Sequence, residues 1–143
     1  MPRPIKAIFL DIDGVLNSTY GDKINLEKYH DMEIVKIKIL RKFMSDYHFD
    51  GVIITSMRRI HKEEYLFIKD GLQHFHIRVL GKTPFNYALD SKKDEILYCL
   101  NQNKHIYDYL IFDDTDDQLS STFKDKFIKI NPYWGLIEKS IKK

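Results

Sequence analysis

Five short apolar runs punctuate this sequence, and several of the stretches between them carry helical periodicity. The first, Ile5–Leu10, is bounded by Pro4 and Asp11 and reads as a buried strand. The others are Gly51–Thr55, Ile77–Leu80, Tyr109–Phe112 and Phe127–Ile130. Between the first two, Asp31–Tyr47 spaces Ile34, Val35, Ile37, Leu40, Phe43, Met44 and Tyr47 as a helix with one core-facing stripe would. His61–Lys69 is predicted helical, with Gly71 ending it. Ser91 and Asp94 form a variant capping box for a helix whose Ile96, Leu97 and Leu100 share a face. A short closing helix is expected from about Leu136. Strands separated by helices imply parallel βαβ units with right-handed crossovers. The expected fold is α/β: a Rossmann-like three-layer α/β/α sandwich around a mostly parallel five-stranded sheet, one domain over residues 1–143.

A chain of 143 residues with 43% hydrophobic and 31% charged residues can bury a core without staples. Its one cysteine, Cys99, excludes an internal disulfide and suits a reducing compartment. No apolar run approaches the roughly 20 residues of a membrane span. The apolar stretch after Arg3 and Lys6 breaks at Asp11, too soon for a signal peptide. A cytoplasmic protein is expected. The net charge of +2 permits a polyanionic partner without demanding one. The late lysines Lys124, Lys126, Lys129, Lys139, Lys142 and Lys143 read as a solvated face.

In open parallel sheets, ligands bind outside the carboxyl ends of the strands. There this sequence puts its reactive groups. Asp11 and Asp13 follow the first run, Thr55 and Ser56 close the second, and Asp113, Asp114, Asp116 and Asp117 follow the fourth. Lys92 and Lys93 open the helix before that fourth run. Carboxylates gathered at one point form a hard oxygen site suited to Mg²⁺. An ionised carboxylate is itself a nucleophile toward phosphorus, and a second one beside it can move protons. Asp11 is expected to attack and Asp13 to serve as acid and base. Gly14 lets the backbone turn and brings amides near a phosphate, which Thr55 and a lysine at 92 or 93 would also hold.

Phe9-Leu10-Asp11-Ile12-Asp13-Gly14-Val15-Leu16 resembles the opening signature of the haloacid dehalogenase superfamily of phosphohydrolases. The resemblance implies Asp11 as nucleophile and Asp13 as general acid/base. It implies Thr55, rather than Ser56, as phosphate ligand and Lys92, with Lys93 close behind, as the charge-balancing lysine. It implies Mg²⁺ held by Asp11, the backbone carbonyl of Asp13, and Asp114, with Asp113 the second candidate and Asp116 and Asp117 weaker. Thr55-Ser56-Met57-Arg58 and Asn131-Pro132-Tyr133-Trp134-Gly135-Leu136 resemble segments of small members, including phosphatase domains linked to RNA repair. Met57 stands where those carry Trp. Arg58 would help hold the phosphorylated substrate or form a structural ion pair.

The intervals 16–31 and 61–90 are too short for the cap domains of larger relatives. A capless, open site suits a macromolecular end, such as a nucleic-acid terminal phosphate, better than it suits an enclosed metabolite. Tyr20, in the short flap, is placed to touch substrate. His61, His74 and His76 match no zinc spacing and are expected at the surface. Cys99, Tyr107 and Tyr109 are expected to pack. The competing readings are a receiver-type phosphoacceptor domain and a catalytically silent binding module. Leu80-Gly81-Lys82-Thr83 lacks the acceptor aspartate of the first, and every chemical position is filled, against the second.

Overall fold

The computed structural model describes residues 2–85, 89 and 91–141. Strand β1 (Ile5–Leu10) lies at the centre of a five-stranded sheet. The flap helix α1 (Thr19–Lys23) and a two-residue hairpin, β2 (Lys28–Tyr29) with β3 (Met32–Glu33), follow it. Then come α2 (Ile34–Asp46), β4 (Gly51–Ile54), α3 (Lys62–His74) and β5 (Val79–Lys82). The chain continues as α4 (Lys92–Gln102), β6 (Ile106–Asp113), α5 (Leu119–Phe123), β7 (Phe127–Lys129) and α6 (Glu138–Ile141). The strand order is β5-β4-β1-β6-β7, and every neighbouring pair is parallel.

Alternation along β1 builds two cores, because successive side chains leave a strand on opposite faces. Ile8 and Leu10 join Ile37, Leu40, Phe43, Ile68 and Leu72 from α2 and α3. Ala7 and Phe9 join Ile96, Cys99, Leu119 and Phe123 from α4 and α5. The sandwich is the three-layer one expected, and among the described residues no cap domain covers it. Among the described residues no helix is long and apolar enough to cross a membrane.

Several local expectations are corrected. Helix α2 begins three residues late because Met32 and Glu33 pair with the flap strand β2. Helix α3 runs through Gly71, which is buried where a Cβ would meet Met32 Cε at 2.7 Å and His30 Cβ at 3.0 Å. That glycine permits a close approach and ends nothing. Strand β5 is displaced by two residues, to Val79–Lys82, by its pairing with β4. Leu97 and Tyr107 are exposed, while Glu95 takes a buried place on α4. Lys126 is tied to Asp108 at 2.6 Å, so it departs from the solvated face; Lys142 and Lys143 lie outside the described residues.

One buried ion pair anchors the flap. Glu33 is fully buried, Lys36 almost so, and their charged atoms are 2.6 Å apart. The Ser18 hydroxyl donates to both Glu33 oxygens, at 3.2 and 3.0 Å, and itself accepts from Gly21 N–H at 2.9 Å. The base of the flap is thus sewn to α2 although its tip is exposed.

Candidate active site

The sheet's carboxyl edge assembles most of the expected residues. Leu10 and Ile54 are register partners on β1 and β4, and Thr55 N–H donates to Leu10 O at 2.9 Å. Asp11 and Thr55 therefore leave adjacent strands side by side. Asp11 N–H donates to Phe112 O at 3.0 Å, which brings Asp113 to its other flank. Oxygens of Asp11, Asp113 and Asp114 all lie within 4.8 Å of one another, a group able to hold a metal ion.

These three carboxylates differ. Asp113 is fully buried; one oxygen receives Lys92 Nζ at 2.6 Å, and the other accepts from Thr115 N–H at 3.0 Å and its hydroxyl at 3.1 Å. Asp11 hydrogen-bonds to Asp114. Burial pushes the Asp11 carboxyl up to about 8, and the charges of Asp113 and Asp114 add to that while Lys92 opposes it. Burial also raises Asp114. Without a cation, Asp11 holds its proton at neutral pH; a divalent ion would displace it, and the donor set, all carboxylate oxygen, fits a hard cation.

Of the two lysines, it is Lys92 that reaches the acidic group. Its Nζ is 3.8 Å from Asp11 and 2.6 Å from Asp113, and burial works against its charge but the two carboxylates outweigh it. Lys93 turns away to Gln118 at 3.1 Å. The helix start is fixed by Ser91, whose hydroxyl accepts from Asp94 N–H at 3.2 Å.

Thr55 is fully buried, and its hydroxyl is the one buried side-chain polar atom without a hydrogen-bond partner among the described residues. Such an orphan costs stability unless a ligand completes it. Ser56 is buried too, but its hydroxyl accepts from Arg58 N–H at 3.2 Å and caps a short 3₁₀ turn, residues 57–60. Gly14 has φ +82°, and a Cβ there would collide with the Asp114 carboxylate. Only glycine combines that turn with that clearance.

Asp13 stands apart from the acidic group. Arg58 forks onto it, Nε to Oδ2 at 2.9 Å and Nη2 to Oδ1 at 2.7 Å, and Asn17 Nδ2 adds a third hydrogen bond at 3.0 Å. Burial tends to raise its carboxyl, but Arg58 and Asn17 outweigh it and hold it below the ordinary range. Its side chain is therefore not among the metal-capable oxygens. Asp116 accepts from the Ser120 N–H and hydroxyl, and Asp117 is exposed; neither joins the cluster.

Residues 7–141 match the family model described as the HAD domain in Swiss Army Knife RNA repair proteins. The chain belongs to this family. Membership carries a phosphohydrolase-type fold linked to RNA repair. No curated protein and no solved structure matches the chain.

The sequence pattern does not single out four further residues that shape this HAD site. Asn17 accepts from Gly14 N–H at 2.9 Å while donating to Asp13, so one amide fixes both. Asp31, at the flap tip, takes Arg58 Nη1 at 3.2 Å. Arg59 is 1% exposed and binds the carbonyls of Thr55, Ser56, Thr83 and Pro84, with Glu95 at 2.7 Å. Glu95 lies one turn beyond Lys92, so Arg59 links the threonine loop to the lysine helix. The signal available was an Arg-Arg pair after a strand, which does not say which arginine turns inward.

Proposed function

We propose that this chain is a Mg²⁺-dependent phosphomonoesterase acting on the terminal phosphate of a nucleic-acid strand. The observation that carries the reading is the orphaned, buried Thr55 hydroxyl beside Asp11 and Lys92: a donor kept for an oxyanion. Asp11, Asp114 and Asp113, with the Asp13 carbonyl, would hold the cation. When bound, Mg²⁺ supplies charge neutralisation, lowering the proton affinity of Asp11 and the repulsion an incoming phosphate meets.

The phosphoryl oxygens accept from Thr55, Lys92 and Arg58. The Gly14 amide, expected from the sequence to face the phosphate, is instead taken by Asn17, so Gly14 shapes the loop, and Ser56 supports the threonine turn. Asp11 Oδ attacks phosphorus as the ester P–O bond breaks, giving an aspartyl-phosphate. Once Arg58 has left it, Asp13 takes up a proton from solvent and gives it to the departing alkoxide, then takes one from the water that attacks the same phosphorus. That water's oxygen leaves with inorganic phosphate, and Asp11 is restored. Arg58 must move from Asp13 toward the phosphate for this to run, which couples substrate arrival to release of the acid. An open carboxyl edge and membership in a family from RNA repair support a strand end over an enclosed metabolite. The single, buried Cys99 agrees with a cytoplasmic setting.

The test is phosphate release from 3′- and 5′-phosphorylated oligoribonucleotides and from an aryl phosphate, with Mg²⁺ or a chelator, beside Asp11→Asn. Mg²⁺-dependent release that the variant lacks is the expected result. Release that survives in Asp11→Asn would overturn the mechanism, and release from the aryl phosphate alone would overturn the substrate class.

A further inference from the structure

A group of aromatic rings stands at the rim of the site with no part in the chemistry above. The rings of Tyr20 and Trp134 are 4.9 Å apart; Tyr133 lies 6.1 Å from Tyr20 and 4.8 Å from Trp134. They pack on one another yet stay open to solvent, Trp134 44% and Tyr20 37% exposed. Clustered exposed rings mark a binding face.

Both supports of this group stand on the active site. The turn carrying Tyr133 and Trp134 leaves the sheet at Ile130, whose N–H donates to Asp113 O at 2.8 Å. It returns at Leu136, whose N–H donates to Val15 O at 2.7 Å, in the loop that holds Asp13 and Gly14. Tyr20 lies three residues past Asn17, which hydrogen-bonds Asp13, and its N–H donates to Tyr133 O at 2.9 Å. Lys23 Nζ lies over the Tyr133 ring, 5.1 Å from its centre, adding a cation to the group.

We infer that Tyr20, Tyr133 and Trp134 form a stacking platform for the base of the substrate's terminal nucleotide, with Lys23 facing the strand backbone. The inference rests on the strand-end phosphatase reading. An aromatic face beside a phosphate site and a cation is what a nucleotide presents in complement: ring, then anion. Every base has a π-face, so the platform accepts any terminal base while favouring a nucleotide over a phosphate without a ring.

Trp134 is the only tryptophan of the chain, so its fluorescence reports the platform directly. The Asp11→Asn protein with Mg²⁺, which leaves substrate intact, is titrated with a phosphorylated oligoribonucleotide and with the same strand abasic at its terminal residue. The base-bearing strand should quench the tryptophan and bind about tenfold tighter. Tyr20→Ala should shrink that gap without changing affinity for the abasic strand, and Trp134→Ala, followed by a labelled strand, should close it. Equal affinity of the two strands, or no quenching by the base-bearing one, overturns the platform and leaves the rings to a protein partner. Phosphate release by the unmodified protein separates the two readings. Turnover of both strands at one KM keeps the phosphatase and removes the platform; base-dependent quenching without turnover does the reverse.

Discussion

The β4 loop and the flap both reach the carboxyl edge, but they are held in opposite ways. Thr55 and Ser56 sit on a loop whose carbonyls are gripped by a buried arginine, Arg59, itself paired with Glu95. The flap tip turns at His30 and Asp31, both left-handed at φ 53° and 64°, and touches the site only through partly exposed polar groups. The two neighbouring arginines divide along the same line: Arg59 faces inward, while Arg58 bridges Asp13 and Asp31 from the solvent side. Groups that must keep one geometry are clamped, and groups that must exchange partners are not.

That contrast can be broken from either side. Asp11→Asn should abolish phosphate release, by roughly 10⁴-fold or more in kcat, since it removes the nucleophile. Next in size is Arg59→Met, which strands the Glu95 carboxylate and four carbonyls. Losing one partner of a buried pair costs about 3–5 kcal/mol, so thermal denaturation should show Tm falling by roughly 10 °C or more. Adding Glu95→Gln should return part of it. Arg58→Ala, on the flap side, should leave Tm nearly unchanged because partly exposed pairs contribute about 0–1 kcal/mol. Its KM for a phosphorylated oligonucleotide should rise by about tenfold. If Arg58 cost stability and Arg59 did not, the division would be wrong.

A smaller effect sharpens the clamped side. Asp11 has an ordinary carboxyl value of 3.8 and sits at about 8 when folded without a cation. The folded chain then keeps a proton that the unfolded chain has released, so stability is lost as pH rises between those values. Melting of the metal-free protein across pH 4–8 should show this fall, and Asp11→Asn should flatten it. Mg²⁺ should restore more stability at pH 8 than at pH 6. Smallest is Asp31→Asn, for which kinetics should show a change in KM within about twofold, since its side chain is mostly in solvent.

Much of this was legible in the sequence, for a definite reason. The β1 run stops at Leu10, the last residue paired with β4 and β6, and strand ends in parallel sheets collect reactive groups such as Asp11. The placement of Thr55 and Asp114 at strand ends could be read the same way, and that of Lys92 from the Ser91-capped helix start. What could not be read was decided across space. Met32 and Glu33 leave the helical pattern because a flap strand pairs with them, and the turn at His30-Asp31 lacks the glycine that announces a hairpin. The inward turn of Arg59 depends on Glu95, 36 positions away. Gly71 looked like a terminator because the neighbour it makes room for, Met32, is distant in the chain.

The Glu33–Lys36 pair carries a consequence for how this chain can vary over generations. Loss of either residue alone would leave a bare charge in the interior, at a cost comparable to the whole margin by which small domains stay folded. Descendants can therefore cross to an apolar pair only by changing both positions together. The two should be inherited as a unit, with Ser18 as their companion, and a relative bearing one without the other would need a flap built on different lines.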